Sequence, residues 1–344
     1  MIAAQRTSVR HHGAGRFFIA ILLLAATGCH RAADPVRLYG EAQGTYYSIQ
    51  YYDNGRRDLQ PQVDSLLDAF DLSASLWVDS SLLRQLNAGL TDSLDDILHF
   101  LLYHSMEISD YTNGAFDPRV GRLVQTWGFS FKERTEPDSA TLAAMIEAAH
   151  STVGSNHGHY IRSNPATELD FNAIAQGYAS DLVAQMLDNY GIENYLVDIG
   201  GEVVAHGCKP DGSAWRVGIE RPAADRDSEP IVQTAIELRD GAVVTSGSYR
   251  KYYERDGVRY SHTIDPATGR PVQHSLLSVS VVEKEAWMAD AMATAYMVMG
   301  LDSARAFMAS HPDGPGTQAV MFIYDDHGSL KTYATDDFEK LTIK

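Results

Sequence analysis

Asp290 and Thr294 are two polar residues in a stretch, 288–295, that is otherwise made of methionine and alanine. They stand four positions apart, so a helix places both side chains on one face. A carboxylate and a hydroxyl in such a helix need a polar partner, and both are hard oxygen ligands of the kind that Mg²⁺ prefers. The pattern fits a divalent metal site and equally a hydrogen-bonded pair.

His262 belongs to a second segment, 260–269, which ends in Asp-Pro-Ala-Thr-Gly. That ending is typical of a turn, but a turn does not explain the Ser-His pair that precedes it. His262 and Asp265 together predict a general base and the carboxylate that orients it. Shortly before, Ser246 and Gly247 lie in a run of small residues that allows a ligand to approach the backbone closely.

Asp170 and Asn172 stand where a strand end runs into a helix, in the segment 169–181. The free N–H groups and the dipole of a helix N-terminus favour a phosphate, although either residue could equally be a helix cap. Asp117 lies in a tight turn, 114–118, which by itself indicates only the end of a helix. A phosphate site and a purely structural interpretation are both open for these segments.

The elements that must position these residues follow from the periodicity of the apolar side chains. Helical spacing predicts helices over 59–72, 93–111, 139–149, 172–190, 286–299 and 303–311. Alternation predicts strands over 37–52, 195–204, 215–220, 232–238, 242–245 and 277–282, and hairpins over 251–264 and 320–335. Because helices and strands mix without regular alternation and hairpins are frequent, we expect an α+β fold rather than a doubly wound sheet.

The composition excludes several classes of protein. The chain has 344 residues, 44% of them hydrophobic, with 28 basic and 45 acidic side chains and a formal charge of −17. Such a surface does not suit nucleic acid or electrostatic membrane binding, and two cysteines exclude a disulfide scaffold and a cysteine-rich zinc site. No phosphate loop, dinucleotide fingerprint or Gly-x-Ser-x-Gly elbow is present. The histidine pair His157 and His159 is interpreted as solvated surface.

The N-terminus predicts an export signal. It combines three arginines and no acidic residue with an apolar run, 17–26, that is too short for a bilayer span of about 20 residues. The end of this run, 24–29, resembles a bacterial lipobox, in which the signal is cut before a cysteine that then carries lipid. Cys29 is therefore the predicted lipidation site, the alternative being an ordinary signal peptide that contains a cysteine.

The predicted organisation is a signal peptide over 1–28, a lipidated tether over 29–37 and one domain over 38–344. Loss of the signal removes three arginines, so the mature chain has 25 basic and 45 acidic residues and a charge of −20. Attachment to the membrane must then come from lipid alone. We expect a protein of the bacterial cell envelope that faces the periplasm, at the inner membrane rather than the outer one.

The motifs, in their order along the chain, resemble those of the ApbE family of FAD:protein FMN transferases, many of which are bacterial lipoproteins. The resemblance spans Gly44 to the C-terminus and rests on the segments 44–46, 81–87, 115–129, 170–181, 198–202, 245–249, 261–269 and 290–294. It implies an α+β, T-fold-like architecture of two lobes, with mixed helices, a largely antiparallel sheet and FAD in the cleft between the lobes.

The resemblance also assigns site residues. The FAD contacts of the family fall on Gln43, Trp77, Ala115, Phe116, Asp117, Asp170, Gln176, Ser246, Gly247, His262 and Ile264. The Mg²⁺ ligands fall on the backbone carbonyl of Ala173 and the side chains of Asp290 and Thr294. His262 matches the base proposed in the family, with Asp265 as its orienting group. Many members carry a charged residue, often lysine, where this chain has Gln176, which offers only neutral hydrogen bonds.

The activity implied by the resemblance is phosphoryl transfer to protein, dependent on Mg²⁺ and with FAD as the substrate. A threonine hydroxyl of an acceptor protein attacks the flavin-side phosphorus of FAD, forming a phosphoester to FMN and releasing AMP. The expected acceptor is a membrane redox subunit. Two alternatives stay open: an FAD pyrophosphatase that yields FMN and AMP, and a lipid-anchored flavin-binding protein without catalysis.

Overall fold

The computed structural model describes residues 34–129, 135–222, 231–248, 252–255 and 258–343. The helices in these ranges are α1 (Gln60–Ala74), α2 (Leu82–Asn87), α3 (Asp96–Tyr111), α4 (Gly121–Thr126), α5 (Ser139–Ala149), α6 (Ala175–Asn189), α7 (Ala286–Met299), α8 (Leu301–Ser310) and α9 (Asp336–Leu341). None of them is long and apolar enough to cross a membrane.

The strands in the same ranges are β1 (Val36–Ala42), β2 (Thr45–Tyr51), β3 (Val153–Asn156), β4 (His159–Arg162), β5 (Tyr195–Ile199), β6 (Glu202–His206), β7 (Trp215–Glu220), β8 (Val232–Leu238), β9 (Gly241–Gly247), β10 (Tyr252–Arg255), β11 (Val258–Ser261), β12 (Ile264–Asp265), β13 (Arg270–Pro271), β14 (Leu276–Glu283), β15 (Ala319–Asp326) and β16 (Ser329–Ala334). Eight of these form the main sheet, in the order β1-β2-β5-β6-β9-β14-β15-β16. Each neighbouring pair in it is antiparallel. The expected α+β class with a largely antiparallel sheet is thereby confirmed.

The main sheet is covered on both faces. Val204 and Val244 belong to the larger core, which α1, α3, α6, α7 and α8 complete. Their neighbours Val203 and Val243 belong to a second core, with side chains of the β7–β8 hairpin and of α9. Consecutive residues of a strand point to opposite faces, so this alternation follows from the pleat. Helix α7 packs directly on β9 and β14, and α6 packs on α7.

Two predicted single strands, 37–52 and 195–204, are wrong, because each is a hairpin. The first turns at Gln43 and Gly44, with φ of 55° and 71°, and the second at Gly200 and Gly201, with φ of 65° and 111°. Left-handed pairs of this kind form the tight turns that antiparallel neighbours prefer. The alternation of residues that face the larger core changes phase at each turn, from Leu38 to Tyr47 at the first and from Ile199 to Val204 at the second.

Other boundaries differ less. The helix predicted from residue 172 begins at Ala175, because the residues before it form a turn in which Ile174 N–H donates to the Phe171 carbonyl. Three short helices, α2, α4 and α9, were not predicted, and neither was the β3–β4 hairpin. His157 and His159 are exposed on that hairpin. Cys29, the signal peptide and residues 256–257 of the predicted hairpin over 251–264 lie outside the described residues.

Candidate active site

A cavity of about 640 Å³ collects side chains from distant parts of the chain. Its volume is within the range of small-molecule sites, about 300–1,000 Å³. Its walls come from the β1–β2 and β5–β6 turns, the turn after α3, the start of α6, β7, β9 and α7. The predicted residues that line it are Gln43, Trp77, Ala115, Phe116, Asp117, Asp170, Ala173, Gln176, Ser246, Gly247, His262, Ile264, Asp290 and Thr294.

Asp265 is the one predicted site residue of the described chain that does not line this cavity. Its carboxylate accepts hydrogen bonds from Ala267 N–H and from the Thr268 hydroxyl, both at 2.9 Å. Gly269 N–H closes the turn on the Asp265 carbonyl at 2.8 Å. His262 lines the main cavity, where its ring lies 6.4 Å from that of Phe129. The Asp265 carboxylate therefore accepts hydrogen bonds within the Asp-Pro-Ala-Thr-Gly turn. This geometry does not support the predicted role of Asp265 in orienting His262.

Asp290 is buried in α7 and faces the first turn of α6. Its Oδ2 accepts a hydrogen bond from Gly177 N–H at 3.1 Å, while Thr294 Oγ1 lies 3.2 Å from Ser246 Oγ on β9. The two residues thus have separate partners, so the alternative of an isolated Asp290–Thr294 pair does not apply. Burial, the largest effect, raises the pKa of Asp290, against the Gly177 hydrogen bond, which lowers it.

The donor set at this place fits Mg²⁺. Ala173, Asp290 and Thr294 line the cavity together and offer a carbonyl, a carboxylate and a hydroxyl, all hard oxygen donors. No lysine or arginine of the described residues forms an ion pair with Asp290. A buried charge needs a counter-charge or a metal. Within the same residues no group of three or more His, Cys, Asp or Glu could hold a metal, so a site must use backbone and hydroxyl oxygens.

The turn after α3 carries the aromatic wall of the cavity. Phe116 is 2% exposed, so its ring is held in the interior. Trp77, which lies between α1 and α2, is 55% exposed and open to solvent. Asp117 is held by Arg119, whose Nε and Nη2 donate to its two oxygens at 2.8 and 2.6 Å. Arg119 also donates to the Ser151 carbonyl at 2.7 Å. Sequence reasoning missed Arg119, and the only signal was its position two residues after Asp117.

The two hairpin turns that the sequence did not predict both reach the site. Gln176 Nε2 donates to the Ile199 carbonyl at 3.3 Å, and a Cβ on Gly200 would lie 2.2 Å from that nitrogen. Only glycine fits there, which explains the close approach of the β5–β6 turn to α6. Gln43 Oε1 is buried and has no hydrogen-bond partner within the described residues. A buried, unsatisfied oxygen on a cavity wall indicates a donor on a ligand.

Acidic side chains outnumber basic ones on the cavity wall, although Asp117 forms an ion pair with Arg119. Its acidic residues are Asp117, Asp170, Asp198, Glu202, Glu220 and Asp290, and Arg216 is the one lysine or arginine among the described lining residues. Burial raises the pKa of Asp198, against the hydrogen bonds from Gly201 N–H and the Tyr46 hydroxyl, which lower it. An anionic ligand would meet repulsion here unless a cation accompanies it.

Comparison with known proteins gives the family. The sequence model of the ApbE family matches residues 43–320, well over half of the chain. The chain belongs to the ApbE family. An FAD:protein FMN transferase of Vibrio cholerae is 36% identical over 338 residues, which cover 95% of this chain and 98% of that protein. One of Escherichia coli K12 is 32% identical over 351 residues, covering 95% and 98%.

A solved structure agrees with the sequence comparison. The flavin transferase ApbE from Vibrio cholerae superimposes with a TM-score of 0.77 at 33% identity, and the match covers 90% of this chain and 99% of that one. The α+β architecture, with its main antiparallel sheet, is therefore the ApbE architecture. The motif resemblance found in the sequence is confirmed at the level of family and fold.

Proposed function

We propose that this ApbE protein is an FAD:protein FMN transferase. The observation that carries the proposal is the convergence, in one cavity, of residues that are up to about 250 positions apart in the sequence, such as Gln43 and Thr294. The relatives at 36% and 32% identity carry this activity in their names. The flavin ring of FAD would contact Phe116 and Trp77, which both line the cavity, because flat aromatic surfaces stack well.

The reaction we propose moves FMN to a threonine of an acceptor protein. The threonine oxygen forms a bond to the flavin-side phosphorus of FAD, the phosphorus–oxygen bond to the AMP moiety breaks, and AMP leaves. His262 takes the hydroxyl proton, which makes the oxygen a stronger nucleophile. The remaining task is to hold the two substrates in line, because phosphoryl transfer depends mainly on positioning and charge stabilisation.

Mg²⁺ would be held by the Ala173 carbonyl, Asp290 and Thr294, and when bound it supplies positive charge beside the pyrophosphate. This assignment rests on the oxygen donor set and on the buried, cation-free carboxylate of Asp290. Ser246 keeps the Thr294 hydroxyl on the β9 side of the cavity through their 3.2 Å contact. Gly177 N–H fixes one oxygen of Asp290 and leaves the other for the cavity.

The test is to incubate the protein with FAD, MgCl₂ and a candidate acceptor, here a membrane redox subunit, and to weigh the acceptor. We expect the mass of one FMN phosphoester per acceptor and an equal amount of AMP. Release of FMN and AMP without acceptor modification would indicate a pyrophosphatase. FAD binding without any product would indicate a flavin-binding protein.

The control for this assay uses two histidines. His262→Ala removes the proposed base, whereas His157→Ala changes an exposed histidine on the β3–β4 hairpin. We expect transfer to be lost in the first variant and unchanged in the second. Equal rates in both variants would remove His262 from the mechanism.

We further propose that residues 1–28 are a cleaved signal, that Cys29 carries lipid and that the domain faces the periplasm from the inner membrane. The lipobox-like segment 24–29 supports this. Cys29→Ser should yield a form without lipid that leaves the membrane fraction on salt-free washing. A variant that is cleaved after the signal and still bound to the membrane would contradict the lipid anchor.

A further inference from the structure

Asp181 is a carboxylate of α6 to which the proposed reaction gives no role. It lies four residues after Gly177, so both face the same side of α6. On that side α6 meets the start of α7, where the metal-site carboxylate Asp290 lies one turn further along.

The carboxylate of Asp181 caps α7 from outside that helix. Its Oδ1 accepts from Ala286 N–H and its Oδ2 from Trp287 N–H, both at 2.9 Å. The first N–H groups of a helix have no partner within the helix, and an acidic group there is favoured by the helix dipole. The residue at the usual capping position, Glu285, makes no side-chain cap. Asp181 therefore supplies the N-terminal cap of α7.

The crossing is also closely packed. A Cβ on Gly177 would lie 2.5 Å from the Ala286 carbonyl oxygen and 2.9 Å from Asp290 Cβ, so only glycine fits between the helices. The Gly177 N–H donates to Asp290 at 3.1 Å. Each helix thus binds the backbone of the other through one carboxylate: Asp181 of α6 holds α7, and Asp290 of α7 holds α6.

We propose that Asp181 is a positioning residue, which holds α7 so that the free oxygen of Asp290 points into the cavity. This inference rests on the proposed Mg²⁺ site. If the cap is lost, the first turn of α7 can move away from Gly177, and the position of Asp290 changes with it. Groups that orient a metal ligand typically affect metal affinity by about 10–100-fold. The burial of Asp181, which raises its pKa to about 7, shows that its place at the crossing is costly for a charged group.

The experiment measures Mg²⁺ binding directly, by the rise in melting temperature with MgCl₂ at saturating FAD, and beside it the Mg²⁺ concentration for half-maximal transfer. Asp181→Ala should shift both by about 10–100-fold to higher MgCl₂. Asp181→Asn keeps one accepting oxygen and can satisfy only one of the two N–H groups of α7, so its shift should be smaller than that of Asp181→Ala. The asparagine variant also tests the proposal if the alanine variant does not fold.

The matched control is Asp138→Ala. Asp138 caps α5 through Thr141 N–H at 2.7 Å and does not line the cavity. We expect this variant to melt at a lower temperature and to keep the Mg²⁺ dependence of wild type. Both readouts refer to Mg²⁺ and not to stability alone, so a merely structural cap would leave them unchanged.

Three results would overturn the inference. Wild-type Mg²⁺ dependence in a folded Asp181→Ala protein would show that the cap is structural only. Equal shifts in the alanine and asparagine variants would contradict the graded dependence on the two hydrogen bonds to α7 that the inference requires. The absence of any Mg²⁺ response in the wild-type protein would overturn the metal part of the proposed function, and this inference with it.

Discussion

Replacing Asp290 by asparagine separates the charge of this side chain from its hydrogen bond. The amide oxygen can still accept from Gly177 N–H, which Asp290 now does at 3.1 Å, and the shape of the side chain is kept. What is lost is an anionic oxygen facing the cavity. Asp290→Ala, in contrast, also leaves the Gly177 N–H unpaired at a buried helix crossing, which costs about 1–3 kcal/mol.

The direction of the stability change without metal follows from burial. Burial raises the pKa of Asp290 in the folded protein above its ordinary value of 3.8. The folded state therefore loses stability relative to the unfolded state as the pH rises from about 4 through that raised pKa. At pH 8 the asparagine variant avoids this loss. We expect it to melt at the same temperature as wild type or higher when no Mg²⁺ is present.

With Mg²⁺ we expect the wild-type protein to melt at a higher temperature than the Asp290→Asn variant. A ligand that binds only the folded state at 100 times its Kd stabilises it by about 2.7 kcal/mol, which for a chain of this size raises the Tm by roughly 5 °C. Wild type should show this rise, and Asp290→Asn should show little of it and transfer far less FMN. Transfer that recovers partly at high MgCl₂ would fit a weakened site.

The assay is a calorimetric melt with and without MgCl₂, run beside the transfer assay. A suitable control is Asp188→Asn, because Asp188 is another α6 carboxylate, which accepts from the Tyr195 hydroxyl at 3.0 Å and does not line the cavity. It should respond to Mg²⁺ as wild type does. An Asp290→Asn protein with the full Mg²⁺-dependent rise in Tm and wild-type transfer would refute the metal role.

Three further predictions concern other parts of the structure. Gly177→Ala should lower the free energy of unfolding in urea by about 1–3 kcal/mol, because the added methyl overlaps the Ala286 carbonyl. His262→Ala should reduce transfer by about 10²–10⁴-fold while FAD still binds, as measured by flavin fluorescence. The hydrogen bond from Arg57 lowers the pKa of Asp53 to about 2. Asp53→Asn should therefore lower the Tm at pH 7, and this difference should vanish as the pH falls from about 4 to 2.

Periodicity was sufficient for most elements of the fold and insufficient for its tight turns. The strand over Trp215–Glu220 and the helix over Ala286–Met299 have the predicted bounds, since each carries a full run of one period. At residues 43–44 and 200–201 the chain reverses and the buried alternation changes phase, from Leu38 to Tyr47 and from Ile199 to Val204. The pair Gly200-Gly201 is a hairpin signal that the alternation by itself does not use, whereas the turn at Gln43 and Gly44 has a weaker one.

The site shows a similar division. The types of residue at 262, 290 and 294 indicated chemistry from the sequence alone. The family motifs indicated that these residues belong to one site. Asp265 was assigned to His262 because the two are close in sequence, but the Asp-Pro-Ala-Thr-Gly turn uses that carboxylate. Arg119 and Asp181 could not be found in this way, because their partners are defined only once the helices and turns have packed.

The charge of the cavity determines how an anionic substrate can bind. The described lining has six acidic residues, of which Asp117 is paired with Arg119, and one arginine, and the chain as a whole has a formal charge of −17. A pyrophosphate brings further negative charge into a region where burial already raises the pKa of Asp198 and Asp290. Interactions between charges strengthen as water is excluded, so without a cation this arrangement disfavours FAD. The same acidic residues attract Mg²⁺, and we therefore expect FAD to bind more tightly in the presence of MgCl₂, with the metal and the nucleotide each strengthening the binding of the other.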